Sequence, residues 1–301
     1  MATQIIKGFP RCPDRLDEGH RQQFVRDGYL AFEGVVGPDE VEEAKDALFE
    51  LTAELLEQAR RGEAEVVHPA KDATRNYTGV RIQKQGSPAQ VHFEPGFDPL
   101  AMTAEEAELK IRKLHAYEQE HPVFQSLVTH PKIKGFVETL LGHQAILRGA
   151  MALSKPPFIG SEKPWHQDNA YFVHVPLDSV ITAWIALDDA TVENGCMYVI
   201  PRGHVGGALK HVHVIDCQIA EGRLDVSLAV PVELRAGGAM YFSGMLPHQT
   251  PPNISSLRRR ALQFQYRGAN TQTLTPEEFA KVFVEADGTP ASCAVAERII
   301  G

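Results

Sequence analysis

The chain has 301 residues, 43% hydrophobic and 23% charged, with a formal net charge of −9. That length and apolar content allow one large domain or two small ones around a real core, while the acidic balance argues against a basic surface for nucleic acid or anionic lipid. The opening MATQIIKGFPRCPDR lacks an apolar signal-type segment, and no later run reaches membrane-spanning length, so a cytoplasmic protein is expected.

In chain order, the first half reads mainly helical. Gly37-Pro38-Asp39-Glu40 has proline early and acids in the first turn, which marks a helix start. Behind it Val41, Ala44, Leu48, Leu51 and Leu55 recur at three- and four-residue steps through about Arg60. Further helices are predicted over residues 103–120 and 131–141. Between them, residues 61–102 carry glycine, proline and strand-like pieces such as GVRIQKQ and QVHFEP, long enough for a functional loop region. The second half changes to short β-type runs: AILRGAMAL at 145–153, SVITAWIAL at 179–187, CMYVI at 196–200, VSLAVPVEL at 226–234, GAMYF at 238–242 and RALQFQYR at 260–267. Many short strands punctuated by turn residues predict a sandwich or barrel. The organisation expected is one domain over 1–301: a helical buttress with substrate-mouth loops to 142, a β core over 143–270, and a C-terminal helix and tail over 271–301.

Strand parity refines this. In SVITAWIAL, Ile181, Ala183, Ile185 and Leu187 form an apolar face, and Val180, Thr182, Trp184 and Ala186 a mixed one. In RALQFQYR, Leu262, Phe264 and Tyr266 are apolar, while Ala261, Gln263 and Gln265 oppose them. One apolar and one mixed face suit a barrel covered outside and hollow inside.

The stretch KPWHQDNAYF places His166 and Asp168 two residues apart, on one face if extended. Two adjacent ligands of one metal need that arrangement, and a third must come from elsewhere. His248 in GMLPHQTPPN, past the GAMYF strand, is the best candidate. Ten residues later begins Arg258-Arg259-Arg260. Parity puts Arg259 on the interior face with Gln263, where a guanidinium can grip a carboxylate, and sends Arg258 and Arg260 toward solvent along their stems.

These motifs together resemble the phytanoyl-CoA dioxygenase family of iron(II)- and 2-oxoglutarate-dependent oxygenases. The resemblance rests on PWHQDNAYF, ITAWIALDDATVENGCMYVIPRGH and LPHQTPPNISSLRRRAL, and covers roughly residues 20–270. It implies a mainly β fold, a double-stranded β-helix (jelly-roll, cupin-like) core with flanking helices. It also implies iron(II), 2-oxoglutarate and O2, with His166, Asp168 and His248 as iron ligands. Arg259 and Thr250 match residues that hold the distal carboxylate of 2-oxoglutarate, and Trp184 and Met151 match residues lining that pocket. Arg112 or Lys113 corresponds loosely to a further basic residue. The implied reaction oxidises a small-molecule substrate while 2-oxoglutarate becomes succinate and CO2. With a carboxylate at 168, hydroxylation is expected over halogenation. Asn194-Gly195-Cys196 matches the family's tight turn, whereas Arg202 stands where glycine is usual.

Other constellations compete. His92-Phe93-Glu94 also fits a ligand pair but lacks a partner histidine followed by arginine; with Tyr171 and Phe172 it is assigned to the substrate mouth. His211 and His213 could mark a cupin-type pair, and His204 reads as structural. Arg75, Arg81 and Lys84 could meet phosphates of a thioester. The four cysteines, Cys12, Cys196, Cys217 and Cys293, form no C-x-x-C pair, which argues against a disulfide framework. A 2-oxoglutarate-independent metalloenzyme and a silent metabolite-binding protein stay open as alternatives, and the oligomeric state is unreadable.

Overall fold

A computed structural model describes residues 8–69 and 79–293; Arg75 and the last part of the tail lie outside the described residues. Two antiparallel sheets face each other. The larger has nine strands in the order Tyr29–Phe32, Ala239–Ser243, Val180–Ala186, Arg259–Gly268, Ala145–Lys155, Ile111–His115, Gln90–Phe93, Arg81–Lys84 and Ala64–Val67. The smaller runs Val230–Val232, Met197–Val199, His248–Thr250 and Lys163–His166. This is the jelly-roll expected from the alternating second half.

Parity holds across the central strands. Ile181, Ala183, Ile185, Leu262, Phe264 and Tyr266 pack outward into the main core, where the helix Pro38–Arg60 buries Val41, Ala44, Leu48, Leu51 and Leu55. Trp184, Ala186 and Ala261 face inward with Met197, Val199 and Leu246. The helix begins as its sequence says: Pro38 follows the N-cap Gly37, whose N–H donates to Glu40 at 2.9 Å.

The first half is less helical than its sequence suggests. Residues 103–120 hold only a short helix, Ala104–Glu108, and then the strand Ile111–His115. That strand pairs on both edges, with Gln90–Phe93 and with Ala145–Lys155, so ladder bonds on two sides override local helical preference. Five strands from the first half therefore extend the sheet. Residues 131–141 are helical as expected, as a wide turn over Pro131–Gly135 leading into Phe136–Leu141. VSLAVPVEL yields only the strand Val230–Val232, preceded by a single turn.

Two further readings need correction. Arg258 and Arg260 do not run to solvent. The 38–60 and 104–108 helices cover that face of the sheet, so Arg260 forks onto Asp188 through two bonds of 2.9 Å, and both arginines meet Glu108, at 2.8 and 3.3 Å. Cys217 and Cys293 form a disulfide with Cα atoms 6.1 Å apart; 76 residues separate them, a spacing no local motif reveals. No helix among the described residues is long and apolar enough to cross a membrane.

Because Arg260 neutralises two acids away from bulk water, Arg260→Met is expected to lose roughly 3 kcal/mol in urea unfolding. Arg258→Met, at the more open end of the cluster, should lose under about 1 kcal/mol. Equal losses would mean that the two arginines share the load.

Candidate active site

Strand pairing assembles the centre. His248 opens its strand directly opposite His166, and the two imidazoles lie with ring centroids 4.1 Å apart. Asp168 follows at the end of the 163–166 strand, where the chain turns in a short 3-10 segment. Its Oδ1 is 3.6 Å from His166 Nε2 and 3.8 Å from His248 Nε2. One donor atom from each of the three buried residues lies within 4.8 Å of the others, a set able to hold a metal ion.

The tautomers fit that purpose. His166 Nδ1–H donates to the Pro164 carbonyl at 2.8 Å, and His248 Nδ1–H to the Leu246 carbonyl at 2.9 Å. Both Nε2 lone pairs are thereby left for a cation. Thr182 donates its hydroxyl to Asp168 Oδ2 at 2.8 Å, and Gln265 approaches the same oxygen at 3.4 Å. Burial pushes the Asp168 carboxyl up, but the two imidazoles and Thr182 outweigh it and hold it below the usual carboxylate range. Burial, helped by the neighbouring His166, pushes His248 down to about 3, so it stays neutral and able to ligate.

Gln167, between the two residues of the motif, is locked in place. Its backbone N–H donates to His211 Nε2 at 3.0 Å, and its amide spans the Gly207 and Met245 carbonyls and the Leu209 N–H. His211 thus positions the H-x-D segment, and the spacing of LKHVHVID gave no hint of it. The disulfide adds a second brace: Cys293 N–H donates to Ala170, and the Tyr171 hydroxyl to the Cys217 carbonyl.

Beyond the trio opens a cavity of about 420 Å³. Arg259, 1% exposed, lies at one end. Its Nη2 donates to the Gly195 carbonyl at 3.1 Å and its guanidinium sits 5.4 Å from the Trp184 ring, while Nε and Nη1 have no hydrogen-bond partner among the described residues. Burial lowers it only to about 10, so it remains charged at neutral pH. A buried cation with open donors is costly unless an anion completes it, which fits a carboxylate ligand. Thr250, Met151 and Gln263 line the same cavity. Gly195 adopts φ +83°, and a Cβ there would meet the Pro251 carbonyl at 2.5 Å, which explains the tight turn. Arg202 takes φ +67°, so the position where the family prefers glycine has a left-handed backbone.

Several expected residues stand elsewhere. Arg112 reaches the cavity but is engaged by Glu94 at 3.4 Å and by the Glu162 carbonyl at 3.1 Å. Lys113 lines the cavity without an ion pair among the described residues, and burial lowers it to about 8. Trp184 does not line the cavity; it backs Arg259 from behind. His92 and Glu94 do not line it either. Glu94 is buried and accepts from Ser161 as well as Arg112, and His92 packs against His115. Tyr171 and Phe172 do line it. His204 donates to the Val25 carbonyl, consistent with a structural part. Lys84 is paired with Glu54 and Glu120, which leaves it no free charge for phosphate.

A jelly-roll carrying a buried His-Asp-His cluster is the arrangement of the iron- and 2-oxoglutarate-dependent oxygenases, the class of the family model that the chain matches. Within that class the chain belongs to the phytanoyl-CoA dioxygenase family, whose model matches residues 24–261. It is similar to the phytanoyl-CoA dioxygenase domain-containing protein 1 of Danio rerio, with 28% identity covering 90% of this chain and 97% of that protein. It is also similar to a phytanoyl-CoA dioxygenase of Arabidopsis thaliana, with 29% identity covering 83% and 86%. Among solved structures, EctD from S. alaskensis with 2-oxoglutarate and 5-hydroxyectoine covers the whole chain and 98% of its own, at a TM-score of 0.61 and 19% identity. The carbocyclase SnoK from nogalamycin biosynthesis covers 88% and 90%, at 0.59 and 21%. At these identities the two structures establish the fold.

Buried imidazoles that resist protonation link stability to pH. His211 and His248 are held near 3 when folded, against 6.5 for the free side chain. Below about 6.5 the unfolded chain therefore binds more protons, and stability falls as pH falls, by up to ~1.4 kcal/mol per pH unit for each proton withheld. The metal-free protein should lose melting temperature between pH 7 and pH 5, and His211→Asn should flatten the slope; a constant melting temperature would contradict the neutral assignment.

Proposed function

We propose that this protein hydroxylates an aliphatic carbon of a small organic substrate, using iron(II), 2-oxoglutarate and O2. The substrate is an acid, an acyl thioester or a secondary metabolite, and succinate and CO2 are the coproducts. The observation that carries the reading is the convergence of His166, Asp168 and His248 beside a buried guanidinium with unused donors. Bound there, iron(II) supplies the oxidative chemistry that couples decarboxylation of 2-oxoglutarate to attack on a substrate C–H bond.

The residues divide the remaining work. His166 and His248 present fixed Nε2 lone pairs because their Nδ1–H groups are tethered to carbonyls. Thr182 and Gln265 orient Asp168 so that Oδ1 faces the same point as the imidazoles. Arg259 receives one carboxylate of 2-oxoglutarate, with the Thr250 hydroxyl beside it. Lys113, rather than Arg112, is the further basic residue free for an anion, since Arg112 is spoken for by Glu94. Met151 and Phe172 supply apolar wall that limits water.

Succinate release from 2-oxoglutarate under iron(II) and oxygen, screened over candidate substrates, tests this. His166→Ala should abolish release. Arg259→Gln should weaken 2-oxoglutarate binding by ~2–4 kcal/mol, the loss of a charge-assisted pair. Substrate turnover by the wild type without 2-oxoglutarate would favour a cupin-like metalloenzyme instead.

A further inference from the structure

Besides Arg259 and the Glu94-bound Arg112, the cavity has a third guanidinium, Arg148, at its Gln265 end. Arg148 belongs to the strand Ala145–Lys155, whose odd residues 151, 153 and 155 pair with the interior residues Gln263, Ala261 and Arg259. By simple alternation Arg148 would point outward with Ala150 and Ala152, which pack into the main core. It does not. Gln265 pairs with Gly149 and Tyr266 with Leu147, so Arg148 is the extra residue of a β-bulge. A bulge re-aims a side chain, and here it turns a cation into the cavity that holds the metal cluster.

Once there, the guanidinium is held in one plane. Its face lies 3.5 Å from the centroid of the buried Phe172 ring, and Nη1–H donates to Gln265 Oε1 at 3.3 Å. The same Gln265 amide approaches Asp168 through its nitrogen at 3.4 Å. Among the described residues Arg148 makes no ion pair, and its Nε and Nη2 carry no hydrogen bond. An Arg with one face stacked and one donor fixed presents its remaining edge as a two-pronged site for a planar anion.

That anion is not the cosubstrate. Positions 259 and 265 are six residues apart on one strand, ~20 Å at ~3.3 Å per residue. Arg259 is held against Trp184 and Gly195, whereas Arg148 is held against Gln265 and Phe172. If 2-oxoglutarate occupies the Arg259 end, as proposed above, Arg148 remains for the other molecule in the cavity. We infer that Arg148 and Phe172 form a carboxylate subsite for the substrate, and hence that the substrate is a carboxylic acid oxidised at a carbon near its acid group. The nearness follows from the chain Arg148–Gln265–Asp168, which leaves a single amide side chain between the anchoring cation and the proposed metal ligand. This inference rests on the oxygenase reading for the choice of occupant and for the position of oxidation, whereas the carboxylate subsite itself does not depend on it.

The test uses the full chain with iron(II) and 2-oxoglutarate under nitrogen, titrated calorimetrically with short aliphatic and aryl-substituted monocarboxylic acids, each against its primary amide. At least one acid should bind about tenfold or more tighter than its amide, the size of a lost hydrogen bond to a charged group. Arg148→Gln should erase that preference while 2-oxoglutarate affinity is retained, and Arg148→Lys, which keeps the charge, should restore part of it and show that the site still folds. Absence of any acid preference in the wild type overturns the inference. So does a preference that survives Arg148→Gln, or a loss of 2-oxoglutarate affinity as large as that of Arg259→Gln. Failure of 2-oxoglutarate to bind, with an Arg148-dependent acid preference intact, would defeat the oxygenase reading and leave the carboxylate subsite standing.

Discussion

The pairing of His248 with His166 across two short strands is the constraint on which the site depends. Each imidazole is fixed twice, by its place in the ladder and by an Nδ1–H bond to a carbonyl two residues earlier. The second fixation determines which nitrogen faces the centre, and backbone geometry supplies it without help from a distant carboxylate. Asp168 can then complete the set because the chain turns immediately after the strand, and Gln167 is pinned so that the turn cannot slip.

Charge is concentrated inside this barrel in a way that a plain core would not tolerate. Arg259, Lys155, Lys113 and Arg148 all line the cavity, while Asp168 and Asp216 are the acids among them. Asp216 is taken by Lys163 and Asp168 by the two histidines. The surplus of cations in a partly dehydrated space favours small anions, although the whole protein carries a net charge of −9. Net charge describes the outer surface, and the walls of a cavity can hold the opposite sign.

What could be read in advance, and what could not, follows from the range of the forces involved. Strand parity in SVITAWIAL and RALQFQYR is a local property, so the inward Arg259 and the outward Phe264 were visible in the chain. The helix Pro38–Arg60 was visible for the same reason, since its cap and its repeat lie within one segment. The strand at 111–115 was not, because its ladder partners are 18 to 40 residues away and its own letters suit a helix. Arg112 illustrates the consequence: a register shift in the pairing with Gln90–Phe93 leaves it the extra residue beside Lys113, both reach the cavity, and Glu94 takes Arg112. The Cys217–Cys293 disulfide, the Arg258–Glu108–Arg260 cluster and the brace of His211 on Gln167 likewise join residues far apart in sequence.

By itself the sequence determined the alternation of the β core, the face on which each central residue lies, and the three motifs that carry the family resemblance. The tertiary structure alone decided that His166, Asp168 and His248 meet, that Glu94 engages Arg112 while Lys113 has no ion pair among the described residues, and that Arg148 points inward. Alternation is set by the backbone geometry of neighbouring residues and therefore survives in one dimension. Convergence and ion-pair choice depend on which strands become neighbours, and a bulge that reverses one side chain exists only relative to the strand beside it.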